Sequence, residues 1–386
     1  MRVAFSLIGH KGWTGGSHYL RNLLAALHEV SRGAIEPYLF VGTNKMREID
    51  LVSPYISRII PDESFTEWSL PWIMRQALRR ITDNDPVAEN LCRQHGIDVV
   101  FHSGLFGTKF KIPCVNWLAD FQHLHLPDMF TRKERENRSA IYKAFALQSK
   151  RLVVSSETAK KDFETFFPGY SVPVDVLRFV ALVPSNVYEQ NPRYIVSQYK
   201  VPDKFFYLPN QFWKHKNHAV VIEALKLIKK QNRKVFVVCT GNEHDYRNPD
   251  YIGFLKREAS ANKLADQIAF LGLIPMEHVY MFMRQSVSVL NPSFFEGWST
   301  TVEETKSLGK KMILSDIPVH REQDPDGGTY FDPQAPEDLA DKMGQAWDTT
   351  PPGPDFSREE KARSMLMKRM CLFGETFVDI IRKVVP

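Results

Sequence analysis

The chain has 386 residues, of which 43% are hydrophobic, 25% charged and 12% aromatic. That balance suits about two to three packed domains and excludes a disordered or fibrous chain. Its 20 glycines and 24 prolines follow no fixed period, and the formal charge of +5 divides almost evenly between the two halves, so neither a collagen-like repeat nor a concentrated nucleic-acid surface is present in the sequence.

From the N-terminus, RVAFSL (2–7) reads as a buried strand, followed by a glycine-bearing loop from Gly9 to Gly16. SHYLRNLLAALHEV then sets Leu20, Leu23, Leu24, Leu27 and Val30 on one face at helical spacing. Further strands are predicted at 37–41, 98–102, 113–118 and 151–156, with helical patterns between several of them. TEWSLPWIMRQALRRI (66–81) carries two tryptophans and three arginines, and reads either as a helix covering a sheet or as an amphipathic segment on a membrane surface. Asp83-Asn84-Asp85 has a D-x-D spacing, but it closes a helical stretch and leads into Pro86, which reads as a turn. After a connection near 180–195 the theme returns, with strands expected at 204–210, 234–241, 268–272, 286–293 and 311–316. Asn217 is placed to cap a helix whose apolar face is Val221, Ala224, Leu225 and Ile228. Asp324 to Gly328 reads as a further turn. Pro351, Pro352 and Pro354 break the chain before a last helix, for which Ser357 and Glu360 form an S-x-x-E capping box and Gly374 marks a bend. Alternating strands and helices of this kind predict βαβ units and parallel sheets, an α/β chain.

Cys92, Cys114, Cys239 and Cys371 lie far apart, with no C-x-x-C and no metal-ligand spacing, and two of them sit in apolar runs. A reduced, cytoplasmic compartment is expected. The N-terminal apolar run is too short for a signal peptide, and no stretch reaches the length of a membrane span.

The segment NPSFFEGWSTTVEETKSLGKK (291–311) carries the strongest chemical signal. A buried strand ends at Asn291-Pro292, Glu296 and Gly297 follow in a loop, and Ser299, Thr300 and Thr301 open a helix that contains Glu304. Free N–H groups at a helix start suit a phosphate, and two carboxylates flanking that start can accept hydrogen bonds from sugar hydroxyls. The same residues also suit a surface helix with acidic residues near its N-terminus.

This E-x7-E block, with E-G before its helix, resembles the retaining family 4 (group 1) glycosyltransferases. The resemblance extends along most of the chain, in order: GWTGGSHYLRNLL, LPNQFWKHKNH, CTGNEHDY, FLGLI, the E-x7-E block, SDIPVHREQ and GGTYFDPQAPEDLA. It implies a GT-B architecture, two Rossmann-like domains with parallel sheets facing a central cleft. The expected boundaries are 1–190 for an acceptor-side domain, 191–355 for a nucleotide-sugar domain, and 356–386 for a helix crossing back to the first. It implies a retaining, metal-independent transferase using a nucleoside-diphosphate sugar as substrate and no cofactor. The acceptor would be a glycan, a lipid-linked or a small-molecule hydroxyl, with peripheral contact at the inner membrane face if it is lipid-linked.

By the same resemblance, Glu304 binds ribose hydroxyls, Glu296 with Gly297, Trp298 and Ser299 touches the sugar, and Lys216 with Thr300 and Thr301 steadies the diphosphate. Gly15 and Gly16 approach sugar and diphosphate, Gly241 forms the G-N turn, and the backbone around Leu273 holds the base. Gln211 stands where the family has an arginine, and lacks its charge, which Lys214 or His215 could replace. Asp120 matches the family's Asp, while Ala119 stands in place of the adjacent histidine, with His123 a substitute. These departures keep open a non-catalytic nucleotide- or glycan-binding subunit. A sugar phosphorylase would carry pyridoxal phosphate on a lysine, and a nicotinamide oxidoreductase would need a G-x-G-x-x-G fingerprint that the sequence lacks.

Overall fold

A computed structural model describes residues 1–8, 15–30, 33–46, 48–102 and 104–385. The chain forms two compact units. The first comprises Met1–Leu124, Thr131–Ala181 and Met367–Pro386, and the second His125–Phe130 and Leu182–Leu366.

The first unit holds a seven-stranded parallel sheet of β1 (Arg2–Ser6), β2 (Glu36–Val41), β3 (Arg58–Pro61), β4 (Val99–His102), β5 (Cys114–Leu118), β6 (Arg151–Val154) and β7 (Val174–Val176), in the order β3-β2-β1-β4-β5-β6-β7. Val3, Ala4, Phe5 and Val115 are buried irrespective of their position in the pleat, because a parallel sheet is covered on both faces. Leu20, Leu23, Leu24 and Leu27 of the helix Gly15–Val30 are buried as their spacing predicts, with Tyr19 beside them, and Val30 at the helix end is half-buried.

The second unit holds a six-stranded parallel sheet of β8 (Phe206–Leu208), β9 (Val237–Cys239), β10 (Ile268–Phe270), β11 (Val289–Asn291), β12 (Met312–Ser315) and β13 (Gly328–Phe331), ordered β10-β9-β8-β11-β12-β13. Each sheet has the Rossmann-like pattern of a strand order that reverses direction once, between β1 and β4 and between β8 and β11. The order therefore fixes where each sheet opens a crevice, beyond the carboxyl ends of those strands.

Three strands went unread in the sequence, and each is a sheet edge: β3, β7 and β13. An edge strand needs no continuous apolar run, since one of its sides has no neighbouring strand to exclude water. The last helix also differs from its expected start. It runs without interruption from Phe356 to Arg382, so Ser357 lies inside it, and the cap is Asp355, whose Oδ1 accepts the Arg358 N–H at 3.1 Å. Gly374 serves close packing within the first unit: a Cβ there would lie 3.2 Å from the Ala26 carbonyl oxygen. Three residues on, Phe377 packs against Phe5 and Phe101 at ring separations of 5.9 and 5.0 Å. Asn217 precedes the helix His218–Lys230, but in the left-handed region at φ 55°, and its side chain donates to the Pro333 carbonyl instead of capping.

Within the second unit, Arg284 is 1% exposed and ties three segments together. Its Nε and Nη2 donate to the two Glu359 oxygens at 2.7 and 3.0 Å, and Nη1 donates to the carbonyls of Val187 and Gln190 at 2.6 and 2.7 Å. Removing one partner of such a buried pair strands the other, at a cost of about 3–5 kcal/mol. Arg284→Ala is expected to destabilise the second unit by that order, read as a fall in its chemical denaturation midpoint.

Candidate functional site

The crevice between β8 and β11 in the second unit is built from polar residues that end otherwise apolar strands. Asn210 follows β8 and Asn291 ends β11; both are buried, and the Asn210 amide donates to Asn291 Oδ1 at 3.0 Å. Asn291 Nδ2 donates to Ser299 Oγ at 2.8 Å, and the Thr301 hydroxyl donates to Asn210 Oδ1 at 3.0 Å. This lattice of neutral amides and hydroxyls anchors the start of the helix Thr300–Ser307 to the ends of the two strands. Each member is buried, so leaving one unpaired would cost about 1–3 kcal/mol, which keeps the crevice in one geometry.

On this floor sit the two charges that the sequence singled out. Lys216 Nζ donates to Glu296 Oε1 at 2.6 Å, with only 15% and 9% of the two side chains exposed. The Ser293 hydroxyl lies 2.6 Å from the same carboxylate oxygen. Lys216 ends the short turn Lys214–Lys216 after β8, and Glu296 stands in the loop after β11, so the strand order brings together residues that are 80 positions apart. The Glu296 loop is held from two sides: Phe294 N–H donates to the His215 carbonyl at 2.9 Å, and the Ser315 hydroxyl donates to the Ser293 carbonyl at 2.5 Å.

Glu304 lies on the same short helix, 8% exposed. Its carboxyl has no hydrogen-bond or ion-pair partner among the described residues. Burial pushes its pKa up to about 8. A carboxyl so placed keeps its proton at neutral pH, a perturbation that is frequent at functional sites.

The remaining predicted residues are distributed as follows. Gln211 lines the loop after β8, where its Oε1 accepts the Asn242 N–H at 2.6 Å. Gly241, at φ 152°, packs so tightly that a Cβ would lie 2.3 Å from the Asn210 carbonyl oxygen, which explains the glycine. Leu273 is exposed and Trp298 buried. Ser299 has its polar groups engaged within the protein. Its hydroxyl caps the Val302 N–H, its N–H donates to Gln323 Oε1 at 3.2 Å, and its carbonyl accepts from Gln323 Nε2 at 3.0 Å. His215 is buried and its imidazole is held far below the ordinary range by burial and by Lys216, so it stays neutral and cannot replace a guanidinium. Lys214 is exposed.

Asp120 and His123 belong to the first unit. Asp120 Oδ1 accepts from Arg138 Nη2 at 2.8 Å and from the Gln122 N–H at 2.9 Å. His123 is buried, 3.2 Å from the Ser139 hydroxyl, and burial lowers its pKa to about 4. Gly15 and Gly16 open the helix Gly15–Val30, and positions 9–14 of the expected glycine loop lie outside the described residues. Asp83 and Asp85 close one helix and cap the next, and Asp85 also pairs with Arg75 at 2.7 Å. Among the described residues no group of three His, Cys, Asp or Glu is placed to hold a metal ion.

Sequence reasoning missed Asn210, Asn291, Gln323 and His320. His320 is fully buried, with Nδ1 2.9 Å from the Ser315 carbonyl, and the charges of Glu296 and Lys216 both act on its ring. The available signal was an asparagine ending each of two apolar strand runs, in YLPN and VLNP.

Two parallel Rossmann-like sheets of this order define the GT-B class of α/β proteins. Within it, residues 196–361 match the model of the family described as glycosyl transferases group 1, which supports that family for the second unit. No curated protein matches the chain in sequence. Among solved structures, the chain is similar to HepE of Anabaena in complex with UDP and glucose (15% identity, 99% of this chain and 100% of that one, TM-score 0.68). It is also similar to a glycosyltransferase of Rickettsia africae (15% identity, 99% and 98% covered, TM-score 0.69) and to sucrose-phosphate synthase of Thermosynechococcus elongatus (13% identity, 99% and 98% covered, TM-score 0.70).

The raised Glu304 pKa carries a sign that can be checked. Between the unfolded value near 4.5 and the folded value near 8, the folded state keeps a proton that the unfolded state has lost. Stability of the ligand-free protein therefore falls as pH rises through that window. Glu304→Gln removes the effect, so thermal melts from pH 5 to 8 should show the variant gaining on the parent as pH increases.

Proposed function

We propose that the chain is a retaining glycosyltransferase that moves a sugar from a nucleoside-diphosphate sugar to a hydroxyl of a glycan, lipid-linked or small-molecule acceptor. The observation that carries this reading is the Lys216–Glu296 pair at the β8/β11 crevice, together with the buried, protonated Glu304 on the helix that starts there. The group 1 match over 196–361 and the similarity to HepE, solved with UDP-glucose, support it.

In this reading residues 191–355 are the nucleotide-sugar domain, and 1–190 the acceptor side. Glu304 receives the ribose hydroxyls, with the base near Leu273 and the G-N turn at Gly241 and Gln211 beside it. Glu296, Gly297 and Trp298 face the sugar. Lys216 swings its ammonium from Glu296 to the diphosphate, and the helix start at Thr300 and Thr301 adds its amides. Negative charge grows on the leaving diphosphate as the glycosidic bond breaks, so a fixed cation and oriented N–H groups there lower the barrier. The leaving phosphate oxygen accepts the acceptor's proton, and no metal or cofactor is assigned a part. Gly15 and Gly16 approach the sugar and the diphosphate, and the acceptor enters near Gly16, Asp120 and His123. A lipid-linked acceptor would bring the protein into peripheral contact with the cytoplasmic face of a membrane. The second reading, a silent nucleotide-binding subunit, draws on Gln211 and Ala119.

Incubation with a panel of UDP-, GDP-, ADP- and dTDP-sugars separates the two: nucleoside diphosphate released with one sugar supports transfer, and binding without release under any acceptor supports the silent subunit. The anomeric configuration of the product, read by NMR, tests retention. Glu304→Ala is expected to weaken nucleotide binding by about 1.5–3 kcal/mol in a calorimetric titration. Lys216→Ala strands the buried Glu296 and is expected to lower the melting temperature, but it should also abolish turnover under conditions where the variant is fully folded; parental turnover by the folded variant would mark a structural lysine.

A further inference from the structure

The helix Leu70–Thr82 of the first unit is turned the opposite way from a helix that covers a sheet. Its one buried side chain is Arg75. That guanidinium donates to Asp85 Oδ2 at 2.7 Å and to the Ser64 carbonyl at 3.2 Å, and lies 3.8 Å over the Phe65 ring. The large aliphatic side chains go the other way: Leu70, Ile73, Met74, Leu78 and Ile81 are exposed, Ile81 by 82%. At 100° per residue these positions share an arc of about 140°, so they form one continuous stripe. Trp68, just before the helix, is 80% exposed and held at φ 69°, a left-handed conformation that a bulky residue adopts only at a cost.

A contiguous apolar stripe of this size marks a surface that something covers. Charge selects the occupant. The segment LPWIMRQALRRIT holds three arginines and no acidic residue. Arg80 is exposed beside Ile73 at the margin of the stripe, with no ion pair among the described residues. On the opposite side, Trp72, Arg75, Gln76 and Arg79 line a cleft of about 380 Å³ at the carboxyl ends of β1 and β2. Arg79 donates only to the neutral Gln76 amide oxygen, at 3.0 and 3.3 Å. The carboxylates whose charge acts on Arg79 are engaged elsewhere, Asp85 by Arg75 at 2.7 Å and Asp83 by Thr108. A second copy of the chain docked helix to helix would bring no carboxylate to these cations, since the segment has none. An anionic lipid surface meets both the stripe and its cations.

We propose that the helix Leu70–Thr82 docks the first unit on a membrane bearing anionic headgroups, with the aliphatic stripe at the acyl boundary, Trp68 at the headgroup level, and Arg80, at the margin of the stripe, toward the phosphates. The proposal rests on the peripheral contact raised above and assigns it to one helix, but it does not depend on glycosyl transfer.

The test is co-sedimentation of the full chain with vesicles of phosphatidylcholine alone and of phosphatidylcholine with an equal part of phosphatidylglycerol. Binding is expected to the mixed vesicles, weaker by about tenfold or more to the neutral ones, and reduced by salt. Replacing the exposed Ile73→Asp and Leu78→Asp together should abolish binding with the melting temperature unchanged, and Arg80→Glu should remove the preference for anionic vesicles. No binding by the parent, equal binding by the double variant, or a dimer in light scattering that the double variant turns into monomer would overturn the proposal. Nucleoside diphosphate release with a soluble acceptor, run on the same samples, separates the two readings. Vesicle binding without release leaves docking standing and transfer refuted, and release without vesicle binding does the reverse.

Discussion

The crevice of the second unit depends on one constraint: two strands that are neighbours in space but far apart in sequence each end in a buried asparagine. The Asn210–Asn291 hydrogen bond spans the point where the strand order reverses, and the start of the helix Thr300–Ser307 is fastened to both residues through Ser299 and Thr301. A buried amide has few ways to be satisfied, so the lattice locks the loops that follow the two strands. Lys216 and Glu296, in the loops that follow those two asparagines, meet at 2.6 Å.

The electrostatics of the site follow from that floor. Lys216 and Glu296 neutralise each other in the ligand-free protein, so the crevice carries little net charge until a ligand divides the pair. Glu304 is held protonated by burial, and His215 and His320 are held neutral by the same cause. The crevice therefore holds one paired cation and anion and one protonated carboxyl, with two neutral histidines around them. Such a site needs little reorganisation when charge moves across it.

The first unit uses similar topology for a different surface. Its sheet also reverses order once, between β1 and β4, but the helix Leu70–Thr82 beside its carboxyl edge turns guanidinia inward and aliphatic side chains outward. Asp85 explains half of this: a carboxylate buried at a helix N-terminus must have a cation, and Arg75 supplies it from the neighbouring helix. Once Arg75 faces inward, helical periodicity sends Ile73, Met74 and Ile81 outward.

How much was legible beforehand follows physical lines. The nine inner strands were readable because a strand buried on both faces is an apolar run, and the edge strand β10 carries such a run too, in IAFLG; the other edges, β3, β7 and β13, do not. Glu296, Lys216 and Glu304 stood out by residue type and spacing. Asn210, Asn291 and Gln323 did not, since a neutral amide becomes significant only through the partner it is buried against. The capping residue of the last helix was misplaced by two positions because Asp355 and Ser357 offer similar acceptors, and only backbone geometry chooses between them. The sequence by itself determined the α/β alternation, the strand cores and the charged residues of the crevice, because burial and periodicity are local properties of the chain. Tertiary structure alone decided which of those residues meet, which histidines lose their charge, and which face of the helix Leu70–Thr82 remains in water, because each of these depends on contacts between segments that no local pattern encodes.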